Sequence, residues 1–346
     1  MTDVSAAVRA SGPSRARDPQ APNATPTTAR VRLGRFRTPI THRIAEGAIA
    51  VMATLAVIAI VLIFVFVAKE ALPLLWEPHA DLSLGDLFKA RTWVGHGDPT
   101  YIWQPVGGTP KMNVVPLFVG TLKVTVLTML MSVPLGVASA IFVSQYAPRR
   151  LREIVKPTIE LVAGVPSVVL GFFALMVVAS WVQSALGVTY RLNAIVAAIG
   201  LSIAVVPVVF TISEDALRAV PRDLTEAAFA LGARKWQATL HVVLPAALPG
   251  IAAAVILGLG RAIGETMIVL MASGNAAVVE LFDPTTSVRT VTATIAAELG
   301  EVAHGDVHWR VLFLLGAMLF VVTFLLNRLG SAAVARLHRK LTAAER

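Results

Sequence analysis

Two charged residues interrupt an apolar run in the second half of the chain. Arg261 and Glu265 are four residues apart, so a helix would place them on one face. A charged side chain near the bilayer centre costs about 2.5–3.5 kcal/mol on insertion scales unless it is paired or hydrated. A guanidinium also offers a planar set of donors that suits phosphate oxygens. The pair therefore indicates either an anion path or a buried structural ion pair.

Three further polar residues lie in or beside apolar runs. Lys123 is expected near the outer end of a span, where it either draws anions into a vestibule or extends to the interface. Glu160 follows Lys156 by four residues, and an ion pair between them is the plain interpretation. The position of Glu160 just before Gly164-Val-Pro-Ser167 leaves a gate as the alternative. Lys123, Glu160 and Ser167 therefore join the candidate substrate path.

Several other chemistries lack the residues they need. His304 and His308 flank Asp306, but the His-Glu-x-x-His arrangement of zinc hydrolases is missing, so no metal site is expected. The chain has no cysteine, which excludes disulfides and thiolate ligands. Neither a convincing Ser/His/Asp order nor a Gly-x-x-x-x-Gly-Lys-Ser/Thr loop occurs. We therefore expect no catalytic residue and no cofactor, and any ATP hydrolysis would belong to a separate subunit.

Membrane-spanning helices must position the candidate residues. The 346 residues are 56% hydrophobic and only 15% charged, whereas soluble domains carry about 25% charged residues. About 20 apolar residues cross the hydrocarbon layer, so the charge-free runs predict an all-α polytopic membrane protein with six transmembrane helices. Their expected limits are 46–68, 117–144, 157–181, 193–213, 248–273 and 310–329. Gly164 and Pro166 would tilt or kink the third helix.

The distribution of basic residues predicts the orientation. With the amino terminus inside, cytoplasmic segments hold 21 of the 30 Lys and Arg residues and external loops hold 7, so both termini are expected in the cytoplasm. Residues 1–40 read as a disordered basic tail, with a transit peptide as the alternative. Residues 331–346 form a second basic tail, and residues 69–116 form the largest external loop. Basic residues beside apolar runs indicate contact with membrane lipids and not with nucleic acid.

The predicted cytoplasmic loop 214–247 contains a helical hairpin pattern. Asp223 and Glu226 give a capping-box-like start, and Gly232 supplies a left-handed stop. A second helix is expected from about Ala233 to Pro245. The hairpin would lie at the membrane face between the fourth and fifth spans.

The spacing within this hairpin is specific. It reads Glu226-Ala227-Ala228, three residues, Gly232, nine residues, Val242, one residue, Leu244-Pro245. This pattern resembles the EAA motif of ABC importer permeases. The resemblance implies a type I permease architecture, in which the short helix is a coupling helix that docks on an ATP-binding subunit. The plain alternative is an alanine-rich hairpin that only stabilises a turn.

Two more segments resemble the phosphate-specific (Pst) importer permeases, particularly their C-type subunit. They are Ile159-Glu-Leu-Val-Ala-Gly-Val-Pro-Ser-Val-Val-Leu-Gly171 and Arg261-Ala-Ile-Gly-Glu-Thr-Met-Ile-Val-Leu-Met-Ala-Ser-Gly-Asn275. The resemblance implies a heterodimer with a paralogous A-type permease, two ATP-binding subunits and an external phosphate-binding protein. It also implies alternating access, with phosphate released toward Arg261.

Three rival interpretations remain at the level of sequence. The nearest is an ABC permease for another oxyanion, such as sulfate, molybdate or phosphonate. An ATP-independent secondary transporter or channel would need no ATPase partner, and the full EAA spacing disfavours it. A membrane scaffold without transport would leave Arg261 and Glu265 to a purely structural role.

Overall fold

The computed structural model describes residues 40–76, 84–92, 99–107 and 110–343. The expected amino-terminal tail lies outside these ranges, apart from Ile40. In chain order, the helices are α1 (Ile40–Ala71), α2 (Pro73–Trp76), α3 (Val115–Ile141), α4 (Arg149–Ala163), α5 (Ser167–Phe173), α6 (Ala179–Leu186), α7 (Ala194–Arg218), α8 (Arg222–Ala230), α9 (Lys235–Ala238), α10 (Leu244–Gly264), α11 (Met267–Ala272), α12 (Val291–Glu298) and α13 (Val307–Ala343).

Six helical segments in the described ranges are long and apolar enough to cross a membrane, which confirms the predicted number. They are Ile44–Ala71, Val115–Tyr146, Ser167–Leu186, Ala194–Arg218, Lys235–Gly264 and Val307–Arg336. Short π-helical turns over 142–146, 174–178 and 239–243 extend or join helices within three of them. The last helix continues through Ala343, so most of the expected carboxyl-terminal tail is helical.

The predicted limits of the third span are wrong at its inner end. Residues 157–163 belong to α4, a helix with a strong apolar and a strong polar face that ends at Gly164. Pro166 then adopts an extended conformation, with φ −57° and ψ 136°. Proline disfavours helical geometry in the preceding residue and lacks an N–H to continue the ladder. The spanning helix therefore begins at Ser167.

The fifth span is also displaced from its prediction. It starts at Lys235 and runs through Pro245. The π turn over 239–243 precedes this proline, which therefore occupies the start of α10. A proline is tolerated at the start of a helix, where it lacks no necessary N–H. The helix ends at Gly264, and Glu265 is extended, with φ −71° and ψ 133°. The single helix expected over 248–273 is thus broken in its carboxyl-terminal half, and α11 follows the break.

Helix α7 forms the centre of the spanning core. It is the most buried of the six spans and packs against both α3 and α10. A Cβ atom added at Gly136 of α3 would lie 2.9 Å from Val209 Cβ, and one added at Gly258 of α10 would lie 2.9 Å from Val209 Cγ2. These glycines therefore permit a close approach of three helices, as small residues do between membrane helices.

The segment between the first and second spans contributes a second core. A two-stranded antiparallel hairpin pairs β1 (Trp103–Gln104) with β2 (Lys111–Met112), a small exception to the predicted all-α fold. Trp103 and Met112 are buried with Leu87, Val291 and Leu312. Trp103 is therefore a core residue, whereas Trp76 is exposed.

Candidate translocation and coupling sites

Arg261 lies in the last turn of α10 and lines a cleft of about 560 Å³ between α10 and α13. The side chain is partly buried. Its Nε atom is buried and, within the described ranges, has no hydrogen-bond partner. Leaving a buried donor unsatisfied costs about 1–3 kcal/mol, and more for a charged group. This geometry leaves the guanidinium available to an anion that enters the cleft.

The expected placement of Arg261 and Glu265 on one helical face is wrong. Glu265 follows the end of α10 and is extended, so helical spacing no longer relates the two side chains. Its backbone carbonyl accepts a hydrogen bond from Thr292 Oγ1 at 2.9 Å. No ion pair joins Arg261 to Glu265 among the ion pairs of the described residues.

Lys123 holds an external segment in place. Its side chain is buried, and Nζ donates to the carbonyl oxygen of Glu280 and to Oγ1 of Thr286, each at 2.7 Å. The ammonium group therefore neither extends to the membrane interface nor lies open in a vestibule. The structure differs here from both sequence interpretations, because the loop after α11 folds back over the amino-terminal part of α3.

The expected ion pair between Lys156 and Glu160 is wrong. Lys156 Nζ donates instead to Glu214 Oε2 at 2.9 Å and to Asp215 Oδ1 at 2.8 Å, which ties α4 to the carboxyl-terminal end of α7. Hydrogen bonds to Asp215 and Glu214 raise the pKa of Lys156 above its ordinary value. Glu160 is exposed on α4, and Ser167 is partly buried at the start of α5.

Glu214 is a residue that the sequence analysis missed. Its side chain is fully buried, and Arg218 Nη1 lies 3.5 Å from Oε1. The sequence did contain a signal for it: the acidic pair Glu214-Asp215 directly follows an apolar run, and the predicted topology places it on the same side of the membrane as the basic start of α4. Such a pair indicates that basic side chains lie nearby, but sequence spacing does not identify which ones.

The hairpin that carries the EAA pattern has the expected turn. Helix α8 ends at Ala230, and Gly232 has φ +84°, a left-handed conformation that favours glycine. The Gly232 N–H donates to Phe229 O at 2.9 Å, and the Ala233 N–H donates to Ala228 O at 3.0 Å. These bonds close the end of the helix in the manner of a glycine stop.

The predicted start of that helix is wrong in detail. Pro221 occupies the N-cap position, and no side chain caps the first turn, so Asp223 and Glu226 do not form a capping box. Glu226 and Ala227 are exposed, whereas Ala228 packs inward. Leu244 and Pro245, the last residues of the motif, lie inside the continuous fifth span.

Large apolar side chains are exposed on the hairpin. Leu231 is 90% exposed, and Phe229 and Trp236 are about half exposed at 46% and 49%. Clustered exposed apolar side chains on a protein surface mark interaction sites more often than isolated ones do. A short helix with this surface, rigidly stopped by Gly232, is suited to dock on another protein.

A cluster centred on Glu298, at the end of α12, was also missed. Its carboxylate accepts hydrogen bonds from Trp103 Nε1 at 3.1 Å and from Arg289, and it lies 2.9 Å from His308 Nε2. Burial tends to raise the pKa of Glu298, but the hydrogen bonds from His308 and Trp103 and the charge of Arg289 outweigh it and lower that pKa. His308 is thus engaged in a structural contact, away from the exposed His304.

Comparison with known proteins adds independent observations. A family model described as "Binding-protein-dependent transport system inner membrane component" matches residues 132–343. The probable ABC transporter permease protein YqgH of Bacillus subtilis (strain 168) is 36% identical over 223 residues, which cover 64% of this chain and 72% of that protein. The phosphate transport system permease protein PstC of Mesorhizobium japonicum is 35% identical over 256 residues, which cover 68% and 76%.

A solved structure shares the fold. A chain of a bacterial ABC transporter involved in the import of the acidic polysaccharide alginate superposes with a TM-score of 0.57 at 15% identity, covering 86% of this chain and 99% of that chain. The chain belongs to the inner-membrane component family of binding-protein-dependent transport systems. It is a multi-pass ABC importer permease, a transport subunit that acts with an ATPase and an external binding protein.

Proposed function

We propose that this chain is the C-type permease subunit of an ATP-driven phosphate importer and forms half of the translocation path. The observation that carries the proposal is the buried, unpartnered Nε of Arg261 in a cleft between two spanning helices. Several relatives, including that of Mesorhizobium japonicum, are phosphate transport permeases. A guanidinium is suited to phosphate oxygens, so the site and the relatives support the same substrate.

The proposed assembly is a heterodimer with a paralogous A-type permease. The complex would hold two ATP-binding subunits, one of which would dock on the hairpin from Glu226 to Gly232, and an external phosphate-binding protein would dock on the opposite face. Both termini are cytoplasmic in this arrangement, as the excess of basic residues in the inner segments predicts.

The proposed mechanism is alternating access. Closure of the ATPases moves α8, the spans open outward, and phosphate released by the binding protein reaches Arg261. Moving a two-state equilibrium from 1:99 to 99:1 needs about 5.5 kcal/mol of differential interaction. The exposed apolar side chains of the hairpin and the turn at Gly232 support the transmission of that energy. Glu265, Glu160 and Ser167 remain candidates for residues that line or gate the path.

Replacement of Arg261 tests the site. We expect Arg261→Gln to lower ATP-driven phosphate uptake about 10- to 100-fold, because a hydrogen bond to a charged group contributes about 1.5–3 kcal/mol. Arg261→Lys should retain part of the activity, since it keeps the charge but not the planar set of donors. Arg328→Gln, at an exposed position of α13, is the matched control. Wild-type uptake by the Arg261→Gln complex at limiting phosphate contradicts the proposal.

Competition separates phosphate from the other oxyanions. Uptake of labelled phosphate is measured in proteoliposomes that contain the complete complex, with an excess of unlabelled sulfate, molybdate or phosphonate. We expect only unlabelled phosphate to compete strongly. Efficient competition by another oxyanion would assign the permease to that substrate instead.

A further inference from the structure

Two uncharged polar residues of α13 face the cleft that Arg261 lines. Thr323 and Asn327 are one helical turn apart, and both belong to the lining of this cleft. The remaining lining consists of apolar residues and the glycines Gly260, Gly264 and Gly316. Because these glycines have no side chains, polar groups from two helices can approach a ligand between them.

Thr323 and Asn327 are polar residues in the central part of a membrane-spanning helix. Thr323 lies near the middle of the span Val307–Arg336, where an unsatisfied polar group costs several kcal/mol. A Cβ atom added at Gly260, the neighbour of Arg261, would lie 3.9 Å from Asn327 Oδ1. The amide of Asn327 therefore lies beside the end of α10 that presents the guanidinium, so the three polar side chains converge on one region.

The hydrogen-bonding capacity of this region is mixed. Thr323 Oγ1 lies 2.9 Å from the carbonyl oxygens of both Leu319 and Phe320, so its hydrogen is engaged within the helix and its lone pairs are left to accept. Asn327 has an acceptor oxygen and two amide hydrogens, and no hydrogen bond to another described residue engages them. Arg261 supplies donors only. The α10 wall therefore presents donors, and the α13 wall presents acceptors together with the amide hydrogens of Asn327.

We propose that Thr323 and Asn327 act with Arg261 as one mid-membrane site for an oxyanion that carries a proton. The inference rests on the proposed function and adds its selectivity. A protonated phosphate offers oxygens to the guanidinium and an O–H group to Thr323 or Asn327. A fully ionised oxyanion such as sulfate has no hydrogen to donate, so neither the partly buried hydroxyl of Thr323 nor the exposed carbonyl oxygen of Asn327 could accept a hydrogen bond from it, and the missing bond disfavours sulfate. The two residues are therefore specificity determinants for the transported ion.

The absence of cysteine from the chain allows a direct test of occupancy. Gly264→Cys places a thiol in the cleft at a position where an added Cβ meets no atom within 4 Å. The complete complex is reconstituted, and alkylation of this cysteine by a small thiol reagent is followed by mass spectrometry. Inorganic phosphate should slow alkylation at least threefold, whereas sulfate at equal concentration should not. Gly316→Cys, on the opposite wall, provides a second reporter if Gly264→Cys fails to assemble.

Variants of Thr323 and Asn327 link this protection to the proposed residues. Thr323→Val removes the hydroxyl at nearly constant volume, and Thr323→Ser retains it. We expect Thr323→Val and Asn327→Leu to abolish protection by phosphate and to lower the maximal uptake rate at least fivefold, while Thr323→Ser remains close to wild type. The phosphate concentration for half-maximal uptake should stay constant, because the external binding protein captures the ion.

Three outcomes overturn the inference. They are equal protection by phosphate and sulfate, no protection by either ion, and wild-type behaviour of both Thr323→Val and Asn327→Leu. In each case the uptake of the Arg261→Gln complex separates the two proposals. Reduced uptake would leave the proposed phosphate path intact and remove only the selectivity role of α13, whereas unchanged uptake would remove both.

Discussion

Arg261 carries a charge into the membrane interior without the partner that its spacing suggested. The four-residue interval to Glu265 is meaningful only inside a helix, and α10 ends one residue before that carboxylate. A structural ion pair would have explained the arginine by itself. Its absence leaves the buried Nε without an acceptor among the described residues, as the transport interpretation of Arg261 expects.

Glu298 provides a test of the external core at the residue scale. Its pKa is lowered in the folded protein, so its stabilising effect is present above its unfolded pKa of about 4.3 and is lost as the pH falls through the lower, folded value. We expect Glu298→Gln to lower the free energy of unfolding of the purified complex at pH 7 by about 1–3 kcal/mol. The change is measured as a lower thermal midpoint. The difference from wild type should shrink below about pH 4.

The exposed carboxylate of Glu301 supplies the control for this experiment. Glu301→Gln should leave the thermal midpoint unchanged across the same pH range. An equal midpoint for Glu298→Gln and wild type at pH 7, or a difference that grows on acidification, is inconsistent with the contacts described.

Residue partners distant in sequence could not be predicted from spacing. Lys156 was assigned to Glu160 because four residues separate them, yet it binds Glu214 and Asp215, some 60 residues away. Trp103 reaches Glu298 across 195 residues. Local periodicity identifies which residues share a helix face, but only the packing of helices decides which charges meet.

At the scale of elements, the hairpin offers a prediction with a matched control. Gly232 adopts a left-handed conformation, and an added Cβ would meet no atom within 4 Å, so substitution acts through backbone strain and not through a clash. We expect Gly232→Val to lower the number of phosphate ions transported per ATP hydrolysed, because the strained turn, about 1–2 kcal/mol, displaces α8.

Asparagine tolerates the left-handed region, so Gly232→Asn should couple almost normally. Both variants are compared by measuring uptake and ATP hydrolysis in the same proteoliposomes. Equal coupling by Gly232→Val and wild type would show that the turn does not position the docking helix.

Apolar runs predicted the number of spans correctly but not all of their ends. The third span had a visible signal in Gly164 and Pro166, and the helix does end there. The break at Glu265 had no such signal in hydropathy, because the residues after it are again apolar. Likewise, Pro245 did not end its helix, because a π turn precedes it. Tertiary packing decides these cases.

At the scale of the whole molecule, the surfaces fit a subunit of a larger assembly. The apolar side chains of α1 stay exposed over 44–65, as in a helix that faces acyl chains. The hairpin also exposes apolar side chains, around Leu231.

Reconstitution with and without the ATP-binding subunits tests the central claim most directly. The chain and its partner permease are placed in proteoliposomes with the external binding protein, and labelled phosphate is followed against a concentration gradient. With active ATP-binding subunits and ATP, we predict uphill accumulation; without those subunits, or with hydrolysis-deficient ones, we predict none. Uphill accumulation at an undiminished rate in the absence of the ATP-binding subunits would contradict the account.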